Sequence, residues 1–292
     1  AMGTDTGGSI RIPASLCGVV GLKPTFGRVS RAGLMPLSWS LDHAGPLTRS
    51  VEDAAIVLQA IAGYDPNDTW SSDETVPNYS EHLRDGVKGL RVGVPDSFFF
   101  DALEPEVDAG VRTAIGVLES LGAKVQPISL PHIQEIPSAT NAIQLPEALA
   151  FHQKWMAERP DDYADDVRYR LELGAMLPAV TYVQAQRLRQ MAIAAWWDEV
   201  FSKVDVLAMA STQMPAFKLD GSDLSVTISL IRLTNPLNLM GVPVISVPCG
   251  ATSEGLPFGL QIAGRWWDEA TVLRAAYAYE QATDWHKRRP PL

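Results

Sequence analysis

Gly3-Thr4-Asp5-Thr6-Gly7-Gly8-Ser9-Ile10-Arg11-Ile12-Pro13-Ala14 stands at the very start of the chain, and the rest of the sequence is best understood from it. A hydroxyl nucleophile needs close backbone approach to a carbonyl and N–H donors aimed at the developing oxyanion. Two glycines before Ser9 let successive N–H groups turn towards one point with no Cβ in the way. Asp5 is suited to hold such a turn through backbone hydrogen bonds, and Arg11 to pair with a carboxylate and brace it. Taken alone, these residues describe a Gly-Gly-Ser turn. They are not the G-x-S-x-G of a nucleophile elbow. They are not a P-loop either, since no Gly-Lys-Ser/Thr follows.

Residues 1–50 are rich in Gly, Pro, Ser and Thr with apolar residues between them, which predicts tight turns and short strands around a site. Further on, Ser50-Val-Glu-Asp53 reads as a helix N-cap with an acidic first turn, and the helix runs over Ala54 to Ala62 and closes at Gly63. Residues 64–86 read as a surface loop. Leu90–Val94, Glu106–Leu121 and Lys124–Ile128 give strand, helix and strand, the order of a βαβ unit with parallel pairing. Residues 137–202 read as helical, broken near Pro160, Gly174 and Pro178. Val204–Ala208, Val242–Val247 and Gly259–Ile262 read as buried strands, and Asp268–Gln281 as a helix. The fold class is therefore α/β, a mixed central β-sheet flanked by helices, with no internal repeat of solenoid period.

The chain has 292 residues, 46% hydrophobic and 20% charged, ordinary values for a globular protein with a sizeable core. A formal net charge of -10 argues against a nucleic-acid footprint. The one basic run, Lys287-Arg288-Arg289, reads as a solvated tail. The two cysteines, Cys17 and Cys249, are too few for a disulfide framework and read as buried thiols in a reducing, cytoplasmic setting. No run approaches the roughly 18 apolar residues of a membrane span. Ala1 opens inside dense motif, so the expectation is that a segment precedes it.

Past Ala14 the chain continues through Cys17-Gly18-Val-Val-Gly21-Leu-Lys23-Pro24-Thr25-Phe-Gly27-Arg28-Val-Ser30. A second block runs Thr234-Asn-Pro-Leu-Asn238-Leu-Met-Gly241-Val-Pro243-Val-Ile-Ser-Val-Pro248, then Gly255-Leu-Pro-Phe-Gly259-Leu-Gln261. Together these blocks resemble the amidase signature family, and the likeness extends over residues 1–292. The resemblance implies hydrolysis of a carboxylic amide by a Ser–cis-Ser–Lys triad, through an acyl-enzyme on Ser9. It implies an oxyanion hole built from the backbone N–H groups of Thr6, Gly7, Gly8 and Ser9, and neither cofactor nor metal. In the family the catalytic Lys and the bridging Ser lie upstream of the nucleophile, and this chain contains neither.

No residue present replaces them convincingly. Lys23 sits in a Gly-Leu-Lys-Pro-Thr segment with no triad role to assign. Asp42-His43 suggests a relay, but adjacent residues rarely orient one another, and His43 reads as structural or pocket-lining. His82, His132, His152 and His286 lack metal-ligand spacing. Cys17, between apolar neighbours, reads as a packing residue.

The resemblance places substrate choice in a variable region at about 130–235. That region holds Trp155, Met156, Tyr163, Tyr182, Trp196, Trp197 and Met209 as core or pocket wall; Arg187 and Arg189 are suited to meet an acidic substrate, but a solvated helix face is the favoured reading. One branch of the family supplies the glutaminase component of the glutamine-dependent amidotransferase that serves misacylated tRNA. That branch carries an acidic residue just before the Pro-x-Asn of the second block. Here Leu230-Ile-Arg-Leu-Thr234 stands instead, favouring a stand-alone amidase. The alternatives are such a glutaminase component, or an inactive fragment that keeps the fold. The partners to expect are a small-molecule amide, with no nucleic acid and no membrane. A second copy of the chain or the upstream segment is expected to cover the sheet edge left open.

Overall fold

A computed structural model describes residues 1–218 and 224–290. In chain order the elements are β1 (Met2–Asp5), α1 (Arg11–Cys17), β2 (Val20–Lys23), β3 (His43–Thr48), α2 (Val51–Ile61), β4 (Arg91–Pro95) and α3 (Pro105–Ser120). Then come β5 (Lys124–Ile128), α4 (Ile136–Glu158), α5 (Asp165–Met176), α6 (Ala179–Ala195), β6 (Val206–Ala210) and α7 (Leu224–Ile231). The chain closes with α8 (Asn235–Met240), β7 (Val244–Ala251), β8 (Pro257–Gly264) and α9 (Glu269–Gln281).

The strands form one sheet in the order β1-β3-β2-β7-β8-β6-β4-β5. Pairing is antiparallel from β1 across to β6, and parallel for β6–β4 and β4–β5. The sheet is therefore mixed, as the sequence pattern predicts. The parallel pair β4–β5 is joined through α3, the predicted βαβ unit. Along α3, Val107, Val111, Ala114, Ile115 and Leu118 are buried, a stripe at helical spacing that seats the helix on the sheet. Pro105 occupies its first turn, where a missing N–H costs nothing. The N-cap expected at Ser50 is present: its hydroxyl accepts from Asp53 N at 3.1 Å. Asp268 caps α9 in the same way, accepting from Thr271 N. The central strands β6, β7 and β8 are buried almost throughout, because α1, α3 and α9 cover them.

Two expectations need correction. Residues 11–17 form the short helix α1, which the Gly- and Pro-rich composition concealed. Gly174 does not break a helix: it lies inside α5, where a Cβ would come within 2.4 Å of the Leu145 carbonyl oxygen on α4. Its smallness permits the close crossing of two helices. The actual interruptions fall around Pro160 and at Leu177–Pro178. α4 in turn packs on α5, α6 and α8, so the helices of the 130–235 region stack on one another. Among the described residues no helix is long and apolar enough to cross a membrane.

Candidate active site

β1 lies at the edge of the sheet, and the chain leaves it through residues 6–10 to enter α1. Asp5 and Arg11, at the two ends of this loop, are both fully buried and bound to each other, Arg11 Nη2 to Asp5 Oδ1 at 3.0 Å and Arg11 Nε to Oδ2 at 3.0 Å. Ile10 N and Arg11 N also donate to Asp5 Oδ2, at 3.2 and 3.4 Å. Two residues of the second block complete the brace. Arg11 donates to Asn238 Oδ1 at 2.6 Å and to Gln261 Oε1 at 2.8 Å, and Asn238 Nδ2 donates to Asp5 Oδ1 at 2.8 Å. Gln261 Nε2 then donates to the carbonyls of Ala210 and Leu233. The loop is thus tied to α8, β6 and β8. Burial would raise the Asp5 carboxyl, but the Arg11 charge and hydrogen bonds, with help from Lys23 and Asn238, outweigh it and hold Asp5 well below the usual carboxylate range. Asn238 and Gln261 were visible within the quoted block, but nothing local marked them as partners of Arg11.

Within the loop, Gly8 adopts φ of +135°, a conformation open essentially to glycine alone. A Cβ there would lie 2.2 Å from Thr234 Oγ1 and 2.6 Å from Ile12 Cδ1. The Thr234 hydroxyl donates to the Gly7 carbonyl at 2.5 Å, fixing that peptide's orientation. Thr6 Oγ1 donates to Asp42 Oδ1 at 2.5 Å, and Asp42 also accepts from Leu37 N and Ser38 N. Ser9 is exposed at the head of α1. Among the described residues, no acceptor holds the backbone N–H groups of Thr6, Gly7, Gly8 or Ser9, and no side chain is hydrogen-bonded to the Ser9 hydroxyl.

The other candidates point elsewhere. Lys23 is fully buried and donates to Val242 O at 2.5 Å, Pro24 O at 3.4 Å and His43 Nε2 at 3.2 Å, so its three protons are committed. His43 Nδ1 faces the Leu41 carbonyl at 2.7 Å, which makes it the protonated nitrogen and leaves Nε2 to accept from Lys23. Burial pushes both the Lys23 and His43 pKa values down. Asp42 turns towards Thr6 and the 37–38 backbone rather than towards the ring of His43. Cys17 corrects the sequence reading: it is exposed at the end of α1, whereas Cys249 is buried. His82 pairs with Asp85 on the surface, and His152 Nδ1 lies 2.9 Å from Tyr163 Oη.

Two adjoining cavities lie beside the loop. The smaller, 240 Å³, is lined by Thr6, Arg31 and Asp42, and the larger, 1110 Å³, extends to α4 and α6. Trp39, Thr69 and Trp70 line both, so the two are neighbours; of residues 6–9 only Thr6 lines the smaller, and Ser9 lines neither. Of the aromatic and Met side chains considered in the variable region, Tyr182 lines the larger cleft, while Trp196 and Met209 are fully buried. Trp197 is exposed against Trp266, and Trp155, Met156 and Tyr163 are partly buried in α4 and the turn after it. Arg187 is exposed as expected, but Arg189 is buried and lines the cleft, a second correction.

Comparison with known proteins bears on the family and the fold. The amidase family model matches residues 1–273. An amidase from Pseudomonas putida is 47% identical over 304 residues, covering all of this chain and 64% of its own length. A glutamyl-tRNA(Gln) amidotransferase subunit from Moorella thermoacetica is 43% identical over 317 residues, again over the whole chain and 65% of its own length. Among solved structures, a chain of a vestigial protein complex bearing on the origins of an s-triazine catabolic enzyme superposes with a TM-score of 0.87 at 34% identity. It matches over 96% of this chain and 62% of its own. The chain thus spans just under two thirds of the length of these relatives. With the family model matched over nearly its whole length and the braced Gly-Gly-Ser loop in place, this chain belongs to the amidase family.

Proposed function

We propose that this protein hydrolyses a carboxylic amide through an acyl-enzyme on Ser9. The observation that carries the proposal is the loop at 6–9: an exposed serine preceded by N–H groups with no internal acceptor, on a backbone locked by the Asp5–Arg11–Asn238 brace. Ser9 Oγ attacks the carbonyl carbon, and the tetrahedral oxyanion takes hydrogen bonds from the N–H groups of Thr6, Gly7, Gly8 and Ser9. Because these donors are fixed before substrate arrives, little reorganisation accompanies charge development. Collapse expels the amine, and water then releases the acid from the ester.

Attack needs a base, and among the described residues none is hydrogen-bonded to the Ser9 hydroxyl. Lys23 is committed to its three acceptors and His43 to Lys23 and Leu41. The Ser9 proton is therefore assigned to a neutral Lys acting through a bridging Ser, the family arrangement, from residues outside these 292. The same bridge returns a proton to the leaving amine. The substrate is assigned to the small cavity at Thr6 and the larger cleft that adjoins it.

A glutaminase role within an amidotransferase is the second reading, supported by the likeness to the Moorella protein. Against it, the segment that reaches the loop through Thr234 carries Leu230-Ile-Arg-Leu and no acidic residue to hold a glutamine amine. The test is amine or ammonia release from a panel of amides. The chain would be joined to the portion of the Pseudomonas amidase it does not cover, with Ser9→Ala beside it. Turnover lost in the variant is expected. Turnover retained in it, or glutamine as the sole substrate, would overturn the stand-alone amidase reading.

A further inference from the structure

The larger cleft is lined by apolar side chains, among them Trp39, Trp70, Pro146 and Ile193, and by the polar Glu147, Tyr182 and Arg189. The polar groups there are not equivalent. Each Glu147 oxygen already accepts two hydrogen bonds. Oε1 accepts from Ser40 Oγ at 2.8 Å and Tyr182 Oη at 2.9 Å, and Oε2 from Ser38 Oγ at 2.5 Å and Ser40 N at 3.1 Å. Tyr182 Oη, besides donating to Glu147, accepts from Gln186 Nε2 at 3.1 Å. Both groups are spent on internal structure.

Arg189 is different. It is 9% exposed, yet among the described residues no carboxylate lies within ion-pair distance and no acceptor takes any of its five N–H groups. Its Nε is wholly buried without a partner, and its guanidinium carbon stands 5.8 Å from the centre of the Phe26 ring, which supports the plane from one side. Burial pushes its pKa down, and the Glu147 charge only partly opposes this. A guanidinium withdrawn from water and left unpaired is costly, and its planar fork matches a carboxylate in bidentate fashion. The uncompensated charge is a single one, and Glu147 beside it disfavours a dianion such as phosphate.

We propose that Arg189 anchors a carboxylate of the substrate, so that the amide cleaved at Ser9 carries an apolar or aromatic body ending in a monoanionic acid. The apolar lining receives the body and Arg189 fixes the acid. This deepens the amidase reading by naming the substrate class, and it rests on that cleft serving Ser9.

Equilibrium binding tests it without catalysis, because Trp39, Trp70 and Trp267 line the cleft and report occupancy by fluorescence. Titration of the chain with 3-phenylpropionate and with neutral 3-phenylpropionamide is expected to show the acid binding about tenfold or more tightly. In Arg189→Gln the acid should weaken by about that factor while the neutral amide stays within about twofold. Arg189→Lys keeps a charge but loses the fork, and should lose several-fold of the discrimination. Equal binding of acid and amide by the unaltered chain would overturn the proposal. So would unchanged discrimination in whichever variant retains the native circular dichroism. Acid binding that fails while Ser9-dependent amine release persists would sink this inference alone. The reverse would sink the amidase reading and leave the anion site standing.

Discussion

Replacing Asp5 by Asn leaves its shape intact and removes one charge from the centre of the loop brace. An amide oxygen placed at the Oδ2 position keeps the donors from Ile10 N, Arg11 N and Arg11 Nε. The amide nitrogen then occupies the Oδ1 position, where it meets Arg11 Nη2 and Asn238 Nδ2, donor against donor. The variant thus loses two hydrogen bonds and strands a guanidinium that is 0% exposed. Breaking one side of such a buried pair costs about 3–5 kcal/mol, about a fifth or more of what holds a domain together. Urea unfolding followed by circular dichroism should show the midpoint falling by about 1 M or more, taking a slope of about 3 kcal/mol per M. The double variant Asp5→Asn with Arg11→Met removes the stranded charge, so its loss should be smaller than the sum of the two single losses by about 2 kcal/mol. A midpoint shift below about 0.3 M, or strict additivity, would refute the view that this pair locks the loop.

The same carboxyl predicts an acid limit. Its folded pKa is depressed, so its contribution is fully present above the unfolded value near 3.9 and is lost as pH falls below it. Stability of the unaltered chain should drop below about pH 4 more steeply than that of Asp5→Asn, and parallel curves would contradict this. Gly8→Ala forces a Cβ onto Thr234 and Ile12 at a φ suited to glycine, and should destabilise by about 2 kcal/mol or more in urea unfolding; a change within about 0.5 kcal/mol would mean that the loop is built otherwise. Glu147→Gln places an amide nitrogen at one of the two oxygen positions, against the hydroxyls of Ser40 and Tyr182 at Oε1 or against Ser38 Oγ and Ser40 N at Oε2, and should lower the urea midpoint by the equivalent of about 1–2 kcal/mol. Ellman titration should find Cys17 reactive in the folded chain and Cys249, buried with its thiol pKa pushed up, reactive only after denaturation; equal reactivity would reverse the assignment.

Much of the fold was legible because its signals are local. The β4–α3–β5 unit shows in the apolar spacing of residues 90–128, and the start of α2 in Ser50 and its acidic first turn. The roles of Asp5 in holding the turn and of Arg11 in binding a carboxylate were legible too, but not that each is the other's partner. What stayed hidden depends on contacts made at long range. α1 carries Pro13 and too few residues to show a period. Cys17, flanked by apolar residues, reads as buried, but the end of α1 turns it outward. Gly174 resembles a helix breaker until Leu145 is seen against it. Arg189 resembles any charged residue of an amphipathic helix, and only the packing of α6 beside Phe26 and α4 shows that water has been taken from it. The partners of Arg11, at Asn238 and Gln261, lie more than two hundred residues away in sequence and are brought to it by α8 and β8.

The proposed function gives Ser9 a preset oxyanion loop and, among the described residues, no general base. Labelling with a fluorophosphonate puts that directly to the test, comparing the chain alone, its Ser9→Ala variant, and the chain joined to the uncovered portion of the Pseudomonas amidase. Labelling is expected in the joined protein, disappearing with Ser9→Ala, and none above background is expected in the chain alone. Ser9-dependent labelling of the chain alone would contradict this, since a base among the residues described here would then already be activating the serine.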